Sequence, residues 1–265
     1  MPILDLGHTQ LHYTDEGEGP PLVLLAGMMS DGASWGPVIP SLVTRFRVIR
    51  PDNRTTGRTV STGPVTLDAW AQDVASLLDS LDLARAHVAG HSLGGLIALH
   101  LAATAPARID RLALLASGPL FLRRNIVFFD HLLALRSDGF PPDLWLRALF
   151  PWLFAARAFD NESMIETMIA LSLGYPHAQG REALAAQIEA YAKVEAAIRL
   201  PRPLPPTLAI LAGQDILMPP HALRSSLASL GPMTVVEIAD AGHSVHWDAP
   251  DDVVTALLGH FGDLA

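Results

Sequence analysis

The chain has 265 residues, of which 50% are apolar and 17% charged, with a formal net charge of −9. An apolar fraction of that size supports a large buried core and excludes intrinsic disorder, while the acidic balance argues against a nucleic-acid partner. There is no cysteine, which excludes disulfides, a thiolate nucleophile and Cys-ligated metal.

The opening Met1-Pro2-Ile3-Leu4-Asp5 has no basic start and no long apolar run, so no export signal is visible and a cytoplasmic location is the default expectation. Leu22 to Ala26 (LVLLA) and Phe46 to Ile49 then read as buried strands. Thr66 can cap a helix whose Leu67, Trp70, Val74, Leu77, Leu78 and Leu81 fall at helical spacing. Ala86 to Ala89 predicts a strand, Leu93 to Ala105 a helix stopped by Pro106, and Leu112 to Ala116 (LALLA) another strand. Residues 120–200 break this rhythm with helical patterns rich in aromatics and no convincing strand. A proline cluster, Pro201, Pro203, Pro205 and Pro206, then leads into strand Leu208 to Ala212 (LAILA), a helix near His221 to Leu230, strand Thr234 to Ile238 and helix Asp251 to Phe261. Continuous apolar strands alternating with helices predict an α/β fold, with a mostly parallel central sheet flanked by helices. Residues 1–119 and 201–265 are expected to form its core, and residues 120–200 a helical cap. The most apolar stretch, Leu144 to Phe159, is interrupted by Arg147, Pro151 and Arg157. It falls short of the ~20 residues that span a bilayer, and no integral membrane segment is expected.

Gly90-His91-Ser92-Leu93-Gly94 stands between a predicted strand and a predicted helix. A G-x-S-x-G segment in that context forms a sharp turn that lifts the serine hydroxyl above the sheet, and the glycines allow strand and helix to cross closely. A serine hydroxyl needs a base, and the base needs an orienting acid. Asp215 follows the LAILA strand and His243 follows the next strand, each just past a strand end, where catalytic side chains of open parallel sheets collect. The expected catalytic residues are therefore Ser92, Asp215 and His243. His246, three positions on, is the nearest rival base, and His91 is read as structural with its side chain turned away. The oxyanion donors are expected to be the backbone N–H groups of Leu93 and Met28, the latter in the loop after LVLLA. No H-E-x-x-H pattern occurs, and no metal or cofactor is expected.

These motifs resemble those of the α/β-hydrolase fold superfamily, and the likeness covers nearly the whole chain. Gly213 to Pro219 is similar to the family's G-x-x-D-x-x-x-P around the acid, with Asp215 in register. Gly242 to Pro250 is similar to its G-H-x-x-x-x-[DE]-x-P, which selects His243 over His246. Asp52-Asn53-Arg54-Thr55-Thr56-Gly57-Arg58-Thr59 resembles its D-x-R-G-x-G-x-S turn, with Thr55 in place of a glycine. Ala26-Gly27 stands where the family has His-Gly. Leu149 to Phe159 resembles the cap of serine-esterase and enol-lactonase-like members. The resemblance implies a cofactor-free serine hydrolase of a small-molecule substrate, and a serine nucleophile disfavours the dehalogenase and epoxide-hydrolase activities that use aspartate.

Within that class, an esterase acting on a largely apolar, small to medium substrate leads. Lactone or C–C bond hydrolysis by the same residues, and a non-catalytic receptor or signalling role, stay open. The cap's crowd of aromatics and methionines is expected to supply cleft walls, with Met29, Trp145, Phe150 and Trp152 as substrate-binding candidates. Oligomeric state is not set by the sequence.

Overall fold

The computed structural model describes residues 2–262; residue 1 and residues 263–265, the outer ends of the expected core segments, lie outside the described residues. Strands β1 (Ile3–Asp5), β2 (Thr9–Glu16), β3 (Pro21–Leu25), β4 (Arg47–Pro51), β5 (Val60–Ser61), β6 (Ala86–His91), β7 (Ile109–Leu115), β8 (Thr207–Ala212) and β9 (Thr234–Ile238) form one sheet. Its order is β1-β2-β4-β3-β6-β7-β8-β9, with β5 paired to β2. From β4 to β9 every neighbouring pair is parallel, whereas β2 runs antiparallel to β1, β4 and β5.

The central parallel strands are mostly apolar because helices cover both faces. In β3, Val23 and Leu25 face one core while Leu22 and Leu24 face the other. Strands β6 and β8 are buried at every position. Helix α1 (Ile39–Leu42) and the C-terminal helix pack on the second face beside Trp35. On the first face lie α2 (Leu67–Ser80) and α3 (Leu93–Thr104). Thr66 caps α2, its Oγ1 accepting the Ala69 N–H at 3.1 Å, and α2 buries Leu67, Trp70, Val74, Leu77 and Leu78. Helix α3 is apolar on all sides and buried from Leu93 to Ala102, as a helix wedged between sheet and neighbouring helix must be.

Between β7 and β8 the chain leaves the sheet and folds as α4 (Arg123–Leu135), α5 (Leu144–Leu153), α6 (Glu162–Leu173), α7 (Arg181–Ala192) and α8 (Val194–Ala197). Then α9 (Pro220–Ala228), α10 (Val245–Asp248) and α11 (Pro250–Phe261) complete the chain. No described helix is long and apolar enough to cross a membrane.

Strands β1, β2 and β5 are absent from the sequence reading. The segment Thr9–Glu16, TQLHYTDE, is polar, and only part of it is buried. Only Leu11 and part of Tyr13 join the apolar core, and polar pairs hold other inward groups: His12 Nδ1 donates to Asp52 Oδ2 at 2.8 Å, and Thr9 Oγ1 bonds Ser61 Oγ at 2.8 Å.

Candidate active site

Ser92 occupies the turn from β6 into α3 with φ 50° and ψ −118°, a conformation that costs about 1–3 kcal/mol and survives only when neighbours enforce it. Its N–H donates to Leu115 O at 3.0 Å, and its carbonyl accepts from Gly95 N at 3.0 Å and Ser117 Oγ at 2.6 Å. The crossing that presents it needs two glycines. A Cβ on Gly90 would lie 2.3 Å from Gly94 O, and one on Gly94 would lie 2.1 Å from Leu25 O.

Asp215 lies just past β8 and His243 just past β9. Ser92 Oγ is 2.9 Å from His243 Nε2, and His243 Nδ1 is 2.8 Å from Asp215 Oδ2. A carboxylate only accepts, so Nδ1 carries the proton and Nε2 is left to accept from the serine hydroxyl. The other oxygen, Asp215 Oδ1, accepts the N–H groups of Leu217 and Met218, each at 2.8 Å. Asp215 and His243 are both buried, which strengthens their bond by excluding water. Such a chain can draw the proton from a serine hydroxyl as it attacks an electrophilic carbon.

His91 departs from its expected orientation. Its side chain turns towards this cluster: Nε2 donates to the carbonyl of His243 at 2.9 Å, and the ring lies 4.9 Å from the His243 ring. It thereby braces the His243 backbone. Burial, with the neighbouring His246 and His243 adding to it, holds the His91 pKa well below the usual imidazole range. His246 packs on Trp35 at 4.9 Å, and burial, followed by the nearby His243, pushes its pKa down to about 3. It is a neutral packing residue without a bond to Ser92 among the described contacts.

Met28 lies in the loop after β3, and Leu93 opens α3, where the first N–H groups have no partner within the helix. The preceding Gly27 is pressed against the serine turn, since a Cβ there would lie 2.9 Å from His91 Nδ1 and 3.2 Å from Ser92 Cβ. Above Ser92 opens a cavity of about 390 Å3, lined by residues of the core loops and of α4 to α6. Met28, Met29, Trp145 and Phe150 line it together with Leu149, Phe154 and Met168. Trp152 does not; its ring stacks on Phe128 at 4.1 Å, inside the helical layer. Phe140, Phe159 and Met164 are exposed. Polar cavity residues also escaped the sequence reading. Tyr175 donates to Asp31 Oδ2 at 2.6 Å, and Arg136, held over the Trp145 ring, donates to Gln179 O. Burial raises the Asp31 pKa. No sequence motif marks Tyr175 and Arg136, because the groups that accept their hydrogen bonds lie more than 40 positions away.

Comparison with known proteins agrees with this architecture. The sequence model described as alpha/beta hydrolase fold matches residues 20–250, and the chain belongs to that family of hydrolases. It is 30% identical over 269 residues to a protein of Azorhizobium caulinodans provisionally named carbamate hydrolase RutD, covering 100% of this chain and 99% of that one. Among solved structures it is similar to a protein of Mycobacterium tuberculosis H37Rv provisionally named non-heme bromoperoxidase BpoC, with TM-score 0.83, 29% identity and 96% of each chain covered. It is also similar to the enol-lactonase from Burkholderia xenovorans LB400, with TM-score 0.82, 26% identity, and 99% and 100% of the two chains covered.

Proposed function

We propose that the protein is a cofactor-free serine hydrolase that cleaves carboxylic esters of small to medium, largely apolar substrates. The observation that carries this reading is the unbroken hydrogen-bonded chain Ser92–His243–Asp215 at the floor of an apolar cavity. Ser92 Oγ attacks the acyl carbon while His243 Nε2 takes its proton. The N–H groups of Leu93 and Met28 receive the developing oxyanion. His243 then protonates the leaving alkoxide, and a water activated by the same imidazole releases the acid from the acyl-enzyme. Asp215 keeps the imidazole in the accepting tautomer and stabilises its protonated form.

In the same reading, residues 120–200 act as a lid on a core formed by residues 1–119 and 201–265. The lid's contribution to the cavity is mostly hydrocarbon, with Trp145, Leu149, Phe150 and Phe154 facing the space above the serine. Such walls favour uncharged acyl and alcohol groups.

A second reading, hydrolysis of a lactone or carbamate by the same residues, is favoured by the names of two relatives, the enol-lactonase and the carbamate hydrolase. Both reactions begin with attack on an acyl carbon and need the same machinery. A panel of chromogenic esters, lactones and carbamates, with Ser92→Ala as blank, separates the two. Neutral esters should give the highest kcat/KM. Preference for a lactone or carbamate over every ester would move the assignment to the second reading, and no turnover of any of them would oppose both.

A further inference from the structure

Besides Ser92, the described non-glycine residues with left-handed backbone include Met29, with φ 62°, and Thr55, with φ 77°. Thr55 is the more demanding of the two, because a β-branched side chain there is an outlier. Conformations of this kind persist only when surrounding contacts over-determine them. Here both are tied to one pair of glutamines from the helical layer between β7 and β8. Met29 N–H donates to Gln187 Oε1 at 2.9 Å. Gln179 Nε2 donates to Thr55 O at 3.0 Å, to Thr55 Oγ1 at 3.3 Å and to Gln187 Oε1 at 3.2 Å.

The amide orientations follow from the partners. A backbone N–H can only donate, so the oxygen of Gln187 must face Met29. A backbone carbonyl can only accept, so the nitrogen of Gln179 must face Thr55. Gln187, on α7, has 0% exposure. A carboxamide buried so completely is costly; its Nε2 has no hydrogen-bond partner among the described residues, and its oxygen is spent on a loop 158 residues away. That loop is the turn Gly27 to Ser30, closed by Ser30 N–H donating to Gly27 O at 3.4 Å.

We propose that Gln187 is a positioning residue for the hydrolytic step. By holding Met29 N–H it fixes the peptide plane next to the Met28 N–H, and so aims that N–H at the oxygen of the acyl group under attack. Gln179 aligns Gln187 and pins the Thr55 turn in the same contact. Gln187, which does not itself line the cavity, thereby makes the helical layer part of the oxyanion site. The inference rests on the oxyanion role of Met28 in the proposed function. A simple packing role for Gln187 would make a different prediction: lower stability, or weaker substrate binding, with the rate of the bound complex unchanged.

The experiment compares wild type with Gln187→Met, which keeps the length and removes the acceptor, and Gln187→Asn, which stays polar and draws the acceptor back by one methylene. The measurements are kcat and KM for p-nitrophenyl butyrate and the inhibition constant of an aryl trifluoromethyl ketone. In that inhibitor the serine oxygen adds to the ketone carbon, the carbonyl electron pair moves to oxygen as an oxyanion, and the serine proton passes to His243. Losing a whole oxyanion donor costs about 10²- to 10³-fold in kcat; misaligning one should cost roughly 10- to 100-fold. We expect that fall in kcat for Gln187→Met with KM within about threefold, and the inhibition constant raised by the same factor as kcat is lowered. Gln187→Asn should move in the same direction, and it carries the test if Gln187→Met does not fold. A kcat within threefold of wild type, or a raised KM with unchanged kcat, would overturn the role of Gln187. Ser92→Ala run beside them distinguishes the two levels of failure: an active Ser92→Ala defeats the reading of the site itself, whereas an inactive Ser92→Ala beside fully active Gln187 variants defeats only this inference.

Discussion

Replacing Asp215 with asparagine separates the two jobs of that carboxylate. Oδ1 accepts two backbone N–H groups, from Leu217 and Met218, and Oδ2 accepts from His243 Nδ1. Asparagine offers one oxygen and one NH2. With the NH2 at the Oδ1 position, two buried donors face another donor, and each unpaired group costs about 1–3 kcal/mol. With the NH2 turned to His243, both backbone N–H groups keep their acceptor and only the imidazole adjusts, by accepting at Nδ1. The second orientation wins by roughly two unpaired donors, and it leaves the proton on Nε2, pointing at Ser92. The base is then in the wrong tautomer. The expected loss is about 10⁴-fold in kcat, as for the comparable substitution in other serine hydrolases, or ~5.5 kcal/mol of barrier. Stability should change by less than about 1 kcal/mol, because one hydrogen bond is reversed rather than lost. Asp215→Ala should instead destabilise by about 2–6 kcal/mol, with both N–H groups stripped of their acceptor. Steady-state hydrolysis of p-nitrophenyl butyrate and urea unfolding of the two variants supply both numbers. An asparagine variant within tenfold of wild-type kcat, or one as unstable as the alanine variant, would refute the reasoning.

Three further outcomes follow from the same geometry. His91 and His246 have folded-state pKa values held below the unfolded imidazole value of 6.5, that of His246 at about 3. The contribution of the neutral imidazoles is therefore complete above pH 6.5 and declines as pH falls below it; for His246 the loss runs on towards pH 3, at up to ~1.4 kcal/mol per pH unit. Urea midpoints measured from pH 7 to pH 4.5 should show a slope shallower by about that amount in His246→Phe; an unchanged slope would contradict the buried neutral His246. Gly94→Ala forces a Cβ against the backbone of Leu25 and Ala26. It should cost at least ~1–3 kcal/mol as overpacking and lower kcat by displacing the start of α3, so near-normal activity and melting temperature would count against the close crossing. Along a series of p-nitrophenyl esters, each methylene buried in the cavity is worth about 0.8 kcal/mol, so kcat/KM should rise by up to ~4-fold per carbon from acetate and then fall once the cavity is full. A flat series, or one led by acids bearing a second carboxylate, would contradict the apolar lining.

The parallel strands and the three principal site residues are legible in the sequence because each rests on a short-range signal. LVLLA and LAILA are apolar runs of strand length; Asp215 lies three residues past LAILA, and His243 five residues past Thr234–Ile238. Helix α3 is legible for the same reason, running from the G-x-S-x-G turn to the stop at Pro106. Strand β2 is not, because TQLHYTDE satisfies its inward side with a histidine–aspartate pair to a partner 40 residues away. The structural role of His91 is legible but its direction is not, because its partner, the His243 carbonyl, lies 152 positions away. Trp152 was misread because helical spacing cannot say which aromatic of a crowded layer faces inward, and its stacking on Phe128 uses the ring within the cap. The glutamine pair gives no local signal at all. Gln187 and Met29 are 158 positions apart and meet only when the helices between β7 and β8 pack against the loop after β3.

The central claim is that Ser92 carries the acyl group between two half-reactions. The most direct measurement is acid quenching during turnover of a slowly deacylating ester, followed by intact mass and peptide mapping. The account predicts one added acyl mass, located on the peptide containing Ser92, formed at a rate no slower than turnover and absent from Ser92→Ala. An adduct on another residue, or steady turnover by Ser92→Ala, would contradict it.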